Sequence, residues 1–312
     1  MAEEQIIVKP FLKWVGGKTQ LLSQLLPLYP TTINNYYEIF LGGGSTLLAL
    51  LSLIKQGKIT HTGSTIYAFD TNEPLINLYI NIQSQFEFLF TEIKKLIDIY
   101  NVCPNGEKGS KYRATTLDEA KTSKETYYFW IRQQYNTHPN KNSVECSAMF
   151  LFLNKTCFRG LFRMGPNGFN VPFGNYNNPE IVNYDHLNEI RQLIQNVRFE
   201  CCDFRNSIQK VIQNFNLNDF VYMDPPYYPE TDKSFVGYTG DGFTEKDHND
   251  LFTLAHKMNS TNIKWMMSNS FVNKIVKEFE TYQTKKISCK RSINSKKPNS
   301  KTFEIIIMNY EL

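Results

Sequence analysis

The run Phe220-Val221-Tyr222-Met223, followed by Asp224-Pro225-Pro226-Tyr227, constrains this chain more than any other stretch. Four apolar residues without alternation read as a strand buried on both faces, as in a parallel sheet. Asp224 then stands at the carboxyl end of that strand, where open α/β sheets place their ligands. Two consecutive prolines fix φ and remove two backbone N–H donors, so the turn is stiff and no local amide competes for its carbonyls. A carboxylate, free carbonyls and the ring of Tyr227 converge on one small volume. That set suits an exocyclic amine on a flat heterocycle: two oxygens accept from the NH2 while the ring stacks. A Pro-stiffened loop capped by an acid would use the same four letters.

Alternation of strands and helices brackets a middle of different character. Residues 36–40 read as a strand, Gly42-Gly43-Gly44 follow at once, and Ser45 opens an apolar helix reaching residue 54. Residues 65–69 form a second strand ending in Asp70, and further strands are expected at 197–201, 220–223, 263–267 and 303–308. Thr244-Glu245-Lys246-Asp247 resembles a capping box that opens a helix running to about residue 258. Between about 81 and 179 the chain is rich in Tyr, Phe, Asn, Lys and Arg, and its first half looks helical. Gly165-Pro166-Asn167-Gly168, between two short apolar stretches, predicts a hairpin within 162–171. The pattern predicts an α/β domain with a second domain inserted into it.

With 312 residues, 41% of them hydrophobic, the chain can bury one large core or two smaller ones. Its beginning is acidic and no long apolar run follows, so neither a signal peptide nor a membrane span is expected. The six cysteines show no CxxC and no zinc spacing, which predicts reduced, intracellular core residues and no structural metal. Net charge is only +4, but positive charge is concentrated locally: Lys285, Lys286, Lys290, Arg291, Lys296, Lys297 and Lys301 occur with no acid among them until Glu304. Such a run is either a solvated loop or a contact to phosphates.

Phe40-Leu41-Gly42-Gly43-Gly44 is a tight turn between a strand and a helix. Glycines let a ligand approach the backbone, and the helix N-terminus favours a negative group. Asp70, ending the next strand, can accept from both hydroxyls of a ribose. Together they point to a nucleoside-bearing cofactor. Gly16-Gly17-Lys18-Thr19 imitates the end of a phosphate-binding loop, but position 12, where the first glycine belongs, is Leu12. Position 47 is Leu47, so the full dinucleotide fingerprint is missing too. That argues against NAD and leaves a mononucleoside cofactor such as S-adenosylmethionine. After the strand at 197–201, Asp203 can accept from the cofactor's adenine amine while Phe204 packs its ring; an ordinary loop Asp is the alternative.

The chain resembles the Dam/DpnII-type DNA N6-adenine methyltransferases along nearly its whole length. The motifs occur in the family's order. Phe11-Leu12-Lys13-Trp14-Val15-Gly16-Gly17-Lys18 resembles the N-terminal signature, and Phe40 to Gly44 the cofactor loop. Tyr127-Tyr128, Arg132 and Tyr135-Asn136 fall in the recognition domain. Leu161-Phe162-Arg163 and Phe169-Asn170-Val171-Pro172-Phe173-Gly174 bracket the recognition hairpin. Asp224 to Tyr227 match the catalytic motif, and Ser268-Asn269-Ser270 follow a later strand. Two positions depart: Arg159 replaces the usual Asn, and Met164 stands where relatives often carry an aromatic.

The resemblance implies a Rossmann-like S-adenosylmethionine-dependent methyltransferase sheet formed by 1–80 and 180–312. It also implies an inserted, mainly helical target-recognition domain at 81–179 that carries the hairpin. The reaction implied is methylation of N6 on a flipped-out adenine of double-stranded DNA, at GATC. Asp224, Pro225, Pro226 and Tyr227 would be catalytic. Trp14, Lys18, Phe40, Gly42, Gly43, Gly44, Ser45, Asp70, Asp203, Phe204 and Asp224 would border the cofactor, with Trp14 and Lys18 also bordering the target pocket. Lys13, Arg132, Asn136, Arg163, Met164, Lys296 and Lys297 would face DNA, Arg163 reading a guanine and Met164 wedging between base steps. The resemblance further admits a cognate restriction endonuclease, and an intracellular site in cytoplasm or nucleoid, or in a host nucleus or viral factory if the source is viral. Two alternatives stay open: methylation of RNA or another amine, and a catalytically inactive DNA-binding relative.

Overall fold

A computed structural model describes residues 7–63, 65–106, 114–229, 242–290 and 301–312. The chain divides into two compact units, one formed by Met1–Lys9, Lys18–Thr71 and Asn196–Leu312, the other by Pro10–Gly17 and Asn72–Gln195. The division therefore falls outside the 81–179 span expected from sequence, and it adds 10–17 to the inserted part. The reason is packing. Phe11 meets Tyr79 edge-on at 5.3 Å, and Asn154 brackets Lys13, accepting from its N–H at 3.0 Å and donating to its carbonyl at 2.8 Å.

The first unit is built on one seven-stranded sheet. Its strands are β1 Tyr36–Glu38, β2 Ile66–Asp70, β3 Val197–Cys201, β4 Phe220–Met223, β5 Lys264–Ser270, β6 Gln283–Lys290 and β7 Lys301–Met308, in the order β6-β7-β5-β4-β1-β2-β3. The pairs β1/β2, β1/β4, β2/β3 and β4/β5 are parallel; β7 runs antiparallel to both β5 and β6. All four residues of β4 are buried, as an unbroken apolar run between two strands requires. Helices Ser45–Lys55, Phe204–Asn214 and Glu245–Met258 accompany the sheet. The capping box is present: Thr244 accepts from the Asp247 N–H while the Asp247 carboxylate accepts from the Thr244 N–H. One core cluster joins Val221, Met223, Trp265, Met267 and Ile307 of the sheet to Ile208, Phe252 and Met258 of the helices.

From β1 the chain proceeds to β2 and β3 on one side, then returns as β4 on the other. The strand order therefore reverses between β1 and β4, and ligands of open α/β sheets bind outside the carboxyl ends at such a point.

Two expectations change here. Ser268, Asn269 and Ser270 do not follow β5; they are its last residues, because the ladder with β7 continues through Asn269↔Ile305 and Ser270↔Glu304. Lys285, Lys286 and Lys290 lie in the strand β6 rather than in a loop. β6 is the sheet edge, where lysines discourage further strand pairing, and only Ile287 is buried among 283–288, so apolar periodicity is too sparse to signal it. Lys290 and Lys301 end the two strands, whereas Arg291, Lys296 and Lys297 lie outside the described residues.

The second unit contains the helices Glu73–Ser84, Phe86–Val102, Lys124–Thr137, Val144–Thr156 and Tyr184–Leu193. Val144–Thr156 is its centre: buried residues occur around its whole circumference, from Val144 and Cys146 through Phe150 to Asn154. The hairpin is present but short, pairing Met164 with Phe169 and Gly165 with Gly168, so that Pro166-Asn167 form the tip. Gly168 has φ +92°, a backbone region that favours glycine. Among the described residues no helix is long and apolar enough to cross a membrane.

Candidate active site

The carboxyl ends of β1, β2 and β4 gather the first unit's chemistry. Lys18 begins a short helical turn, Lys18–Gln20, and its N–H donates to the Ser45 hydroxyl at 2.9 Å. Its ammonium reaches Asp224, with Nζ 2.7 Å from Oδ2. The other oxygen, Oδ1, is buried and has no hydrogen-bond partner among the described residues. Burial pushes the Asp224 carboxyl up to about 6, against the opposing pull of Lys18. A buried acceptor left without a donor is costly, which marks this oxygen as the place for a ligand's N–H or O–H.

Tyr227 is held at its hydroxyl and over one face of its ring. Its hydroxyl donates to Glu304 Oε2 at 2.7 Å, and the Lys18 ammonium lies 4.8 Å from the ring centroid. Burial, with Asp224 and Glu304 nearby, raises its phenol far above the ordinary range, so it stays protonated. The backbone beyond is clamped from β5. The Tyr228 N–H donates to Asn269 Oδ1 at 2.9 Å, and the Ser270 hydroxyl donates to the Tyr228 carbonyl at 2.6 Å. The conformation of the turn at 224–227 thus depends on two other strands as well as on its prolines.

The glycine turn forms the adjacent wall. Gly42 and Gly44 have φ of +50° and +71°, and the Gly42 N–H donates to Asp70 Oδ2 at 2.9 Å. Asp70 therefore fixes the turn as well as offering a carboxylate there. Phe40 stacks on Phe204 at 5.7 Å, and Phe243 closes on Phe204 at 5.5 Å, making an aromatic wall. Asp203 caps the Phe204–Asn214 helix, accepting from the Arg205 N–H at 2.9 Å. The Arg205 guanidinium also pairs with Asp203, Asp247 and Asp250.

Sequence reasoning misses Glu38. It is fully buried at the end of β1, accepts from Tyr36 Oη at 2.9 Å and from the Thr46 hydroxyl, and is pushed up to about 8 by burial. A charged residue inside a buried strand is the signal that could have found it. The same signal marks Glu304, which precedes Ile305-Ile306-Ile307 in β7.

The remaining predicted residues belong to the second unit. Trp14 stacks on Phe162 at 5.9 Å, and the Lys13 ammonium lies 4.1 Å from the Tyr176 ring centroid. Asn136 imitates a paired strand: it donates to the Phe169 carbonyl at 2.9 Å and accepts from the Phe169 N–H at 2.8 Å. Arg132 donates to the Val171 carbonyl at 3.1 Å, so both side chains hold the hairpin's return strand. Arg163 does not project from the tip. The ladder has only two residue pairs, which puts Arg163 at its base, where Nε donates to Asn170 Oδ1 at 2.6 Å. Arg163 is exposed there, and Met164 beside it is 44% exposed.

These residues fit S-adenosylmethionine on structural grounds. Asp70 can accept from ribose hydroxyls, the glycine turn admits close approach, and Phe40 and Phe204 offer flat apolar surface beside it. Among the described residues no cluster of His, Cys, Asp or Glu could hold a metal ion.

Comparison with known proteins agrees with this chemistry. The family described as D12 class N6 adenine-specific DNA methyltransferase matches residues 14–293. The type II methyltransferase M.MjaIII of Methanocaldococcus jannaschii is 36% identical over 97% of this chain and 99% of its own length. The Retron Ec67 DNA adenine methylase of Escherichia coli is 30% identical, over 95% of this chain and 89% of its own. The DNA adenine methylase of Haemophilus influenzae is 28% identical, over 92% and 88%.

Proposed function

The chain belongs to the D12 class of N6 adenine-specific DNA methyltransferases, enzymes that use S-adenosylmethionine as methyl donor, and we propose that it methylates the adenine of GATC in duplex DNA. One observation carries the catalytic assignment: Asp224 holds one oxygen on Lys18 and keeps the other buried and unpartnered among the described residues. An adenine within a duplex cannot reach such a site, so the base has to leave the stack. Its N6 is a weak nucleophile, because the lone pair is conjugated into the ring.

Asp224 Oδ1 accepts from one N6 hydrogen and the Pro225 carbonyl from the other. Two fixed acceptors orient the nitrogen and favour the positive charge that develops on it, so the gain is in positioning and electrostatics. Tyr227 stacks on the flipped base, a contact worth about 1–3 kcal/mol. Lys18 keeps Asp224 ionised and in place. Asp70, Gly42 to Gly44, Phe40 and Phe204 would hold the cofactor, which would supply the electrophilic sulfonium methyl group; N6 gains the methyl as the S–CH3 bond breaks to leave a neutral thioether, and it releases one of its hydrogens as a proton.

The second unit serves as the recognition domain. Arg163 reads a guanine, Met164 wedges at the opened step, and Lys13 reaches a base edge. Asn136 and Arg132 support this by fixing the hairpin they hold. The basic stretch at 285–301, including Lys296 and Lys297, contacts phosphates. GATC itself rests on the resemblance of the ordered motifs.

Tritium transfer from labelled S-adenosylmethionine tests the reading. Label should appear as N6-methyladenine in a duplex containing GATC and drop sharply when any one of its bases is changed. Equal labelling of all duplexes would overturn the sequence assignment, and preferential labelling of RNA would overturn the substrate.

A further inference from the structure

Glu304 is a half-buried carboxylate beside the buried apolar run 305–308 of β7, and taking an acid part-way out of water there is costly unless it is paired. Its Oε2 accepts from Tyr227 Oη at 2.7 Å, across 77 residues of chain. Register places Glu304 opposite Ser270, and Ser270 together with Asn269 clamps Tyr228. Neighbouring strands therefore fix neighbouring residues of one turn: β7 holds the side chain of Tyr227, and β5 holds the backbone of Tyr228.

We infer that Glu304 is a positioning residue for methyl transfer, holding the Tyr227 ring in its base-stacking orientation and keeping the face of that ring electron-rich. The inference rests on the proposed stacking of Tyr227 on the target adenine. Two physical effects follow from the one hydrogen bond. A ring whose hydroxyl is anchored loses its freedom to turn before the base arrives, so less ordering is left to be done on binding. A phenol that donates to a carboxylate also gains electron density, which strengthens the attraction of its face for nearby positive charge. The Lys18 ammonium, 4.8 Å from the centroid, already occupies such a position. As methyl transfer proceeds, positive charge develops on the N6 of the base stacked on the ring, and the electron-rich ring stabilises it.

Four variants test this: Glu304→Gln, Glu304→Ala, Tyr227→Phe and the double variant Glu304→Ala/Tyr227→Phe. The measurements are single-turnover transfer, cofactor affinity, thermal midpoint, and the fluorescence of duplex carrying 2-aminopurine at the target adenine. Glu304→Ala should lose about ten- to a hundredfold in transfer rate, the scale of a misplaced catalytic contact, with cofactor affinity unchanged. Glu304→Gln can still accept the hydroxyl and should recover most of that rate. In the Tyr227→Phe background the Glu304→Ala change should have no further effect, and 2-aminopurine emission should rise in every variant that releases the ring. A wild-type rate in Glu304→Ala, or losses that simply multiply in the double variant, would overturn the inference. If Glu304→Ala does not fold, Glu304→Gln compared with Tyr227→Phe decides: equal losses in both refute positioning by hydrogen bond. Asp224→Ala run alongside separates the two levels. If it transfers normally, the reading of the site fails. If it is inactive while the Glu304 variants behave as wild type, only the role of Glu304 fails.

Discussion

Lys18 Nζ lies 2.7 Å from Asp224 Oδ2 and satisfies only one of the two carboxylate oxygens, leaving Oδ1 buried without a partner among the described residues. The pair is the electrostatic centre of the site, with Glu304 raising and Lys18 lowering the affinity of Asp224 for its proton.

Transfer should depend on Asp224 being ionised. Its carboxyl is held at about 6, so the single-turnover rate should rise with pH through that value and level off above it. Removing the counter-charge with Lys18→Met should move this acid limb upward by about 1–3 pH units. Folding responds with the opposite sign. The native carboxyl binds its proton more tightly than an unfolded one at about 3.9, so its contribution to stability declines as pH rises from about 4 to about 6. An acid limb that stays in place in Lys18→Met would show that another group sets it.

Asp70 accepts from the Gly42 N–H of the glycine turn and is proposed to hold the cofactor, so its loss should act on binding. Asp70→Ala should raise the dissociation constant for S-adenosylmethionine by about ten- to a hundredfold, the loss of one charge-assisted hydrogen bond of about 1.5–3 kcal/mol. Isothermal titration measures this directly. An unchanged affinity would leave Asp70 as a fastening for the turn alone.

How much of this is legible in the sequence follows from how local each signal is. The strand before Asp224, the glycine turn after β1, the capping box at Thr244 and the hairpin around Gly165–Gly168 are short-range patterns, and the structure contains all four. Strand β6 reads as a basic loop because it is an edge with a single buried side chain among 283–288. The partners of the site are long-range and carry no spacing rule: Lys18 meets Asp224, and Tyr227 meets Glu304, only once the sheet exists. Arg163 illustrates the opposite limit. Its place beside a turn is visible in the sequence, but not its bond to Asn170 at the hairpin base.

Arg163→Ala should weaken discrimination rather than slow all sites alike. A bidentate guanine contact is worth about 1–3 kcal/mol, so transfer to duplexes altered at that guanine should rise relative to the preferred site. Oligonucleotides substituted singly at each position provide the comparison. A uniform loss across the set would mean that Arg163 orients DNA without reading it.

Neutralising Lys296 and Lys297 should weaken binding to every sequence equally. Two lost phosphate contacts should flatten the slope of log affinity against log salt by about two units. Titrating the double alanine variant against duplex at several salt concentrations gives the slope. An unchanged slope would assign these lysines to solvent.

Asp224→Ala, assayed for cofactor binding and for N6-methyladenine in a GATC duplex by nucleoside analysis after a single turnover, bears most directly on the proposed chemistry. Near-normal affinity for S-adenosylmethionine and no detectable N6-methyladenine are expected, because the acceptor for the adenine amine is gone while Asp70 and the glycine turn remain. N6-methyladenine formed at the wild-type rate would remove Asp224 from the mechanism.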